Sequence, residues 1–469
     1  MEKDLRAILR LAGALFAVVT GLCISATANA VPSYARQTGV ACQGCHTVFP
    51  ELTPFGRSFK LNAYTIDNLP QVQGMSSSKE MELLLNQIPP LSIMLQASYT
   101  KTGTALPDSN VAGANAQNGQ VLFPQQVSLF YAGRIAPNLG SFIQITYDPE
   151  AGTVGLDNTE IRYAKQVPSV ADGLTYGFTL NNNPTVQDVW NSTPAWQTPF
   201  DQMTSAAPTP GKATQIDGML GGRVAGLTGY VWWRNSIYGE IGFYRSAPQG
   251  FAGTAGAGPL DSNAGGVLTN WAPYWRVAYE HQWSRNSLSV GAYGMTAKIS
   301  PAGDPATNPV PVGPPADKFS DVALDGQYQY IGDEHIFSAQ TTYIKEKQTL
   351  DGTFQLGESE NTSNDLKTFR LGGSYYYQRT YGGSLGYFST SGSADAIVYA
   401  PAAVTGFANS SPNSSGWIGE LDYVPWQNVK LLAQYVSYQK FNGASKDYDG
   451  SGRNANYNNT LYVLGWFAF

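Results

Sequence analysis

The run Cys42-Gln43-Gly44-Cys45-His46 carries the strongest chemical signal in the chain. Two thiols separated by two residues can reach the two vinyl groups on one edge of a porphyrin. A His directly after the second Cys then lies below the ring, where its imidazole can bind iron. C-x-x-C-H is the attachment signature of a c-type haem, so one covalent haem c is expected on Cys42 and Cys45, with His46 as an iron ligand. The competing readings are a disulfide with an incidental His, and half of a zinc site. Zinc would need a second ligand pair. The other two histidines, His281 and His335, lie far along the chain on stretches that read as strands.

The sixth position on the iron has several candidates. Met75 and Met81 follow the motif, and Met94 stands where the strand pattern begins. A Met/His pair would raise the potential relative to two nitrogen ligands. A five-coordinate haem is the remaining alternative. Arg36, Arg57 or Lys60 could pair with the haem propionates, since a guanidinium matches a carboxylate geometrically. Phe49, Phe55 and Phe59 could cover the porphyrin face. The plainer reading of these residues is surface charge and small-core packing.

The elements that must hold such a site begin with an export signal. Lys3, Arg6 and Arg10 precede an apolar stretch over residues 11–24, and Ala28-Asn29-Ala30 offers small residues at a cleavage site. Cys23 falls inside this signal and is expected to leave with it. The chain therefore divides into a signal at 1–30, a haem segment and linker at 31–89, and a third part at 90–469. Export places the motif in the periplasm, where c-type haem is attached. Within the linker, Lys79 to Asn86 could form a short helix capped by Ser78; the alternative is a Ser-rich tether.

The third part reads as an all-β, 16-stranded antiparallel outer-membrane barrel. Only 13% of the 469 residues are charged, while Gly (50) and Tyr (28) are abundant, a mix that suits a barrel apolar outside and polar inside. Net charge −6 gives nucleic acid no basic surface to bind. Trp275, Val277, Tyr279, His281 and Trp283 alternate with Tyr274, Arg276, Ala278, Glu280 and Gln282, the period-two pattern of a membrane strand. By the same rule strands are expected near 91–102, 121–134, 139–148, 158–166, 173–182, 220–233, 236–246, 272–283, 286–298, 318–330, 334–346, 366–377, 381–391, 415–424, 428–440 and 457–469. Connections after even-numbered strands are tight, such as Arg234-Asn235 and Ser284-Arg285. Those after odd-numbered strands are mostly long, the longest over 183–219. Short periplasmic turns alternating with long external loops are the outer-membrane arrangement. Glu160, Arg162, Glu240, Arg276, Glu280, Arg370, Glu420 and Asp422 fall on the inward register, where a lumen would accept them. Loop 347–365, with Lys347, Asp351, Glu358, Glu360 and Asp365, is net acidic and reads first as a solvated loop.

The stretch from Pro32 to Tyr64, with Ala35-Arg36-Gln37-Thr38-Gly39, the haem motif and Pro50-Glu51-Leu52-Thr53-Pro54-Phe55-Gly56-Arg57, resembles the fused monohaem cytochrome–porins. The best-known members of that family are outer-membrane iron(II)-oxidising cytochromes. The resemblance implies a 16-stranded barrel, one c-type haem on Cys42, Cys45 and His46, and electron uptake from extracellular Fe(II) to periplasmic cytochromes. A Met that can follow the haem segment in such proteins is replaced here by Ile66.

A segment as short as 31–75 rarely builds its own core, so it is expected to insert into the lumen from the periplasmic side. The expected function is an outer-membrane electron conduit, an Fe(II)-oxidising cytochrome working with a periplasmic c-type cytochrome or copper protein. The alternatives are a porin-like diffusion channel with a structural or gating haem plug, and electron export to an extracellular acceptor. Outer-membrane lipid is the expected surrounding, and a homo-oligomer is a further partner that porin-like barrels commonly have.

Overall fold

The structure, a computed structural model, describes residues 32–47, 51–66, 71–74, 83–86, 89–106, 118–149, 152–167, 173–190, 207–246, 267–301 and 315–469. The expected signal and Cys23 lie outside the described residues. Sixteen long strands follow one another round a closed ring: β1 Leu91–Thr102, β2 Gln120–Ala136, β3 Leu139–Asp148, β4 Thr153–Val167, β5 Leu174–Asn181, β6 Val224–Trp233, β7 Ile237–Ser246, β8 Ala272–Trp283, β9 Asn286–Ser300, β10 Asp317–Ile331, β11 His335–Thr349, β12 Ser363–Tyr377, β13 Tyr381–Gly392, β14 Ser414–Trp426, β15 Val429–Lys440 and β16 Thr460–Ala468. Each pairs antiparallel with the next, and β16 pairs with β1 (Leu464 opposite Ser98), which closes the sheet and removes its edges. The terminal Phe469 exchanges both backbone hydrogen bonds with Ile93, so the chain's last residue completes the seam. A two-residue strand, Val267–Leu268, adds to β9 at the rim.

The alternation seen in the sequence becomes an inside and an outside. Along β8, Tyr274, Arg276, Ala278 and Glu280 are buried while Trp275, Val277, Tyr279 and His281 are exposed. The outer surface carries an apolar belt that includes Phe178, Leu227, Ile241, Val277, Val322, Leu324, Leu385 and Leu421. Aromatic residues flank it. Trp233, Trp283, Tyr377, Tyr381 and Trp426 sit toward the tight turns, and Trp271, Trp275 and Trp417 toward the long loops. An apolar belt between aromatic girdles around a polar interior is the build of an outer-membrane barrel. No helix among the described residues is long and apolar enough to cross a membrane, and the crossing elements are strands.

The expected strands are all present, with displaced ends. β4 starts at Thr153 rather than 158, and Ala455–Asn458 forms a 3-10 turn before β16 begins at Thr460. The helix expected over 79–86 is not formed at its described end. Leu83–Asn86 is extended and pairs antiparallel with Gln71–Gly74 in a small separate sheet. Its Leu-Leu-Leu run favours helix by propensity, but propensity is a weak prior that strand pairing overrides here.

Ahead of the barrel stand three short helices: α1 Pro32–Thr38, α2 Cys42–Cys45 and α3 Pro54–Leu61. They meet the barrel at its tight-turn end, where Phe469 also lies.

Candidate functional site

α2 is a single helical turn made by the C-x-x-C residues, closed by the His46 N–H donating to the Cys42 carbonyl (2.8 Å). Residues three apart share a helix face, so Cys42 and Cys45 stand side by side. They are not joined in a disulfide. Burial pushes the Cys45 thiol up to about 11, so it stays protonated at neutral pH.

α3 holds this turn from behind. Thr53 caps α3 by accepting from the Gly56 N–H (3.1 Å), with Pro54 in the first turn, where the missing N–H costs nothing. The same hydroxyl donates to the Gly44 carbonyl (2.6 Å), and the Thr53 N–H donates to the Cys45 carbonyl (2.9 Å). The contact is so close that a Cβ on Gly56 would lie 2.2 Å from the Cys45 carbonyl oxygen. A glycine is required there for proximity rather than for backbone conformation.

The segment is bound to the inward face of the barrel wall. Arg57 donates Nε to Glu280 Oε2 (2.8 Å) and Nη2 to Glu280 Oε1 (2.9 Å). It also donates to Gln329 (3.0 Å), Gln327 (3.1 Å) and Ser287 (3.1 Å). Glu51 accepts from Ser338 and from Gln329 (2.7 Å). Tyr64 donates to Glu160 (3.1 Å), Tyr230 donates to the Leu61 carbonyl (2.6 Å), and the Ala63 carbonyl lies where a Cβ on Gly140 would have to be. From the long-loop side, residues 181–190 also reach the interior, and the Trp190 indole donates to the same Glu280 (3.1 Å). Glu280 therefore joins a residue of the N-terminal segment to a residue of a long loop.

A cleft of about 80 Å³, partly open to solvent, lies between α2 and the wall. It is lined by Cys42 and His46 on one side, and by Tyr376, Arg379, Val424, Val429, Lys430, Trp466 and Ala468 of the barrel on the other.

Several expected site residues turn elsewhere. Arg57 is only 2% exposed and its guanidinium is engaged by Glu280, Gln327, Gln329 and Ser287 of the wall. Lys60 faces Glu160 at 3.7 Å, and Arg36 donates to the Leu91 carbonyl. None of the three lines the cleft. The inward wall carries carboxylates that a short basic helix meets first. Phe59 is buried in an aromatic cluster with Tyr34 and Tyr64 (ring centroids 5.2 and 5.7 Å apart), and Phe55 is exposed. Phe49, Met75 and Met81 lie outside the described residues. Met94 is buried in the wall beside Trp466, opposite Ala468 in the strand register. His281 stacks on Trp283 and His335 bonds the Tyr375 hydroxyl (2.7 Å), both on the outer surface. Neither can reach an iron at His46. Among the described residues no three His, Cys, Asp or Glu side chains cluster as a metal site, so no zinc ligand set is assembled there.

The inward ionisable residues expected from the sequence are where they should be. Glu160, Arg162, Glu240, Arg276, Glu280, Glu420 and Asp422 are all buried in the interior, and Arg370 pairs there with Asp217. In loop 347–365, Lys347 and Asp365 prove to be register partners of β11 and β12, which offsets part of its acidity. The sequence did not point to Arg379, Trp466 or the valines of the cleft, since each lies more than 300 residues from the motif along the chain.

Fold and site together define a closed sixteen-stranded outer-membrane barrel of porin-like architecture, with a C-x-x-C-H segment bound at its tight-turn end. No family model matches the chain, and no curated protein matches it. Solved structures similar to it include three bacterial outer-membrane proteins. OmpT of Vibrio cholerae is 8% identical over 81% of this chain and 97% of that one, with a TM-score of 0.41. Salmonella typhi OmpF in complex with daunomycin is 12% identical over 81% and 97%, with a TM-score of 0.45. The outer membrane channel DcaP of Acinetobacter baumannii is 12% identical over 81% and 96%, with a TM-score of 0.44. The barrel is established by the strand pairing of the chain itself.

Proposed function

We propose that this chain is an outer-membrane electron conduit that accepts electrons from extracellular Fe(II) and hands them to a periplasmic c-type cytochrome or copper protein. The observation that carries the proposal is the C-x-x-C-H turn, its two thiols on one helix face, with Cys42 and His46 lining a cleft whose far wall includes Val424, Val429 and Trp466. The residue types fit a c-type haem: Cys42 and Cys45 would carry its thioether links, His46 would bind the iron, and Val424, Val429 and Trp466 would cover the ring. When bound, haem c supplies a one-electron couple whose potential follows its axial ligands and surroundings.

In this reading residues 32–66 act as a plug entering from the periplasmic side, since tight turns mark that side. Arg57, Glu51 and Tyr64 fix the plug to the wall, and Trp190 narrows the interior from outside. Charge then crosses where solute is obstructed.

A second reading is favoured by the architecture. Sixteen strands can enclose an aqueous channel, and a diffusion porin with a structural or gating plug would have the same wall. Sealed proteoliposomes separate the two. External Fe(II) should reduce the protein's haem within a turnover time under stopped flow, while liposome-swelling assays show little sugar flux. Absence of reduction removes Fe(II) as donor, and ready sugar flux supports the channel. Electron export would show as a haem potential above that of the periplasmic carrier.

A further inference from the structure

We infer that Arg379, supplied by the barrel wall, is the partner of the porphyrin's carboxylates; this rests on the haem reading above. A haem brings two propionates, and an anion at the edge of an apolar cleft needs a cation. The three cations of the N-terminal segment are committed to the wall: Arg57 to Glu280, Lys60 to Glu160 and Arg36 to the Leu91 carbonyl. Lys430 lines the cleft but stands 3.1 Å from Glu420 and 3.5 Å from Asp422, so two carboxylates already face it.

Arg379 differs from the first three in lining the cleft, and from Lys430 in its lack of a carboxylate at ion-pair distance among the described residues. It lies in the β12–β13 turn, where Gln378 and Arg379 both have positive φ (49° and 57°), the geometry of a tight two-residue hairpin that fixes the side chain's origin. Its Nη1 donates to the carbonyl of Gln43, a residue inside the C-x-x-C turn (2.8 Å). It lines the cleft together with Cys42 and His46. Among the described residues no carboxylate lies within ion-pair distance of it. Partial burial holds its guanidinium below the ordinary arginine range, with Asp333 opposing that trend from farther off. A guanidinium has five donors in a planar fork, and one serves Gln43. The remaining fork matches a carboxylate bidentately. The barrel thus completes a site that the N-terminal segment begins, and one arginine holds both the motif's backbone and the cofactor's charge.

The test uses the full-length protein in detergent, with Arg379→Gln and Arg379→Lys made in parallel. Covalent haem content is read by absorbance, and the midpoint potential by spectroelectrochemical titration. Removing the cation leaves the propionate charge uncompensated and favours ferric iron. Arg379→Gln should therefore retain its haem while its ferric/ferrous equilibrium shifts at least tenfold toward ferric, about 59 mV downward for one electron. Arg379→Lys, which keeps the charge, should recover most of that shift even if the turn is loosened. An Arg379→Gln potential equal to wild type, or equal shifts in both variants, overturns the inference. Wild-type protein without covalent haem overturns the reading beneath it instead, and the two failures are told apart by the haem content.

Discussion

The docking of the N-terminal segment depends on one buried ion pair, and its loss should be large. Arg57 and Glu280 are 2% and 1% exposed and meet bidentately. That burial decides the regime. An exposed pair contributes about 0–1 kcal/mol, whereas removing one partner of a buried pair costs about 3–5 kcal/mol because a charge is left uncompensated. Arg57→Met strands Glu280 with only the Trp190 indole, Gln282 and Ser287 as donors. At about 1.4 kcal/mol per tenfold, the undocked population of residues 51–61 should rise by roughly a hundred- to a few thousand-fold. The barrel itself, closed by sixteen strand pairings, should be unaffected. Hydrogen exchange of the α3 amides in detergent reads this directly, with amides of β12–β14 as the internal control. Arg57→Met with Glu280→Gln removes both charges and should restore most of the protection, giving a coupling energy from the double-mutant cycle. Unchanged α3 exchange in the single variant, or no recovery in the double, would refute the idea that this pair holds the plug.

Other expectations follow from single contacts. Gly56→Ala puts a methyl 2.2 Å from the Cys45 carbonyl; it should separate α3 from the motif and lower covalent haem content severalfold, measured per mole of protein. Leu421→Arg places a charge on the lipid face at a position 73% exposed; it should cost about 2–4 kcal/mol near mid-membrane and reduce the folded, heat-modifiable band on a gel. Glu51 has a folded-state pKa above its ordinary value, because burial outweighs its hydrogen bonds from Ser338 and Gln329. The neutral acid is then the docked form. Its contribution is fully present below the unfolded value of about 4.3 and is lost as pH rises through the folded value. Protease cleavage near residues 48–66 should accelerate over that rise in wild type, and Glu51→Gln should flatten the dependence.

Period-two alternation and the rhythm of short and long connections were enough to place sixteen strands, their inward faces and their closure. Those signals are local: each strand needs only apolar residues at every second position, and each turn needs residues such as Arg234-Asn235 that tolerate positive φ. The C-x-x-C-H motif was equally plain, because Cys42, Cys45 and His46 fall within one helical turn. The sequence was silent where a side chain's contacts depended on what the wall offered. Arg57 looked like a propionate partner in one dimension. In three dimensions Glu280 and Gln329 are nearer to hand, and a buried carboxylate claims a guanidinium more strongly than an open cleft does.

The chain's order of residues alone thus determined the class of architecture and the chemistry of the motif, both products of short-range spacing. Only the folded barrel decided which cation faces the cleft, which aromatic residues line it, and that Trp190 and Arg57 meet at one carboxylate. Such choices join positions separated by hundreds of residues, and no local pattern records them. They come into being when the sheet closes and its inward side chains compete for the same partners.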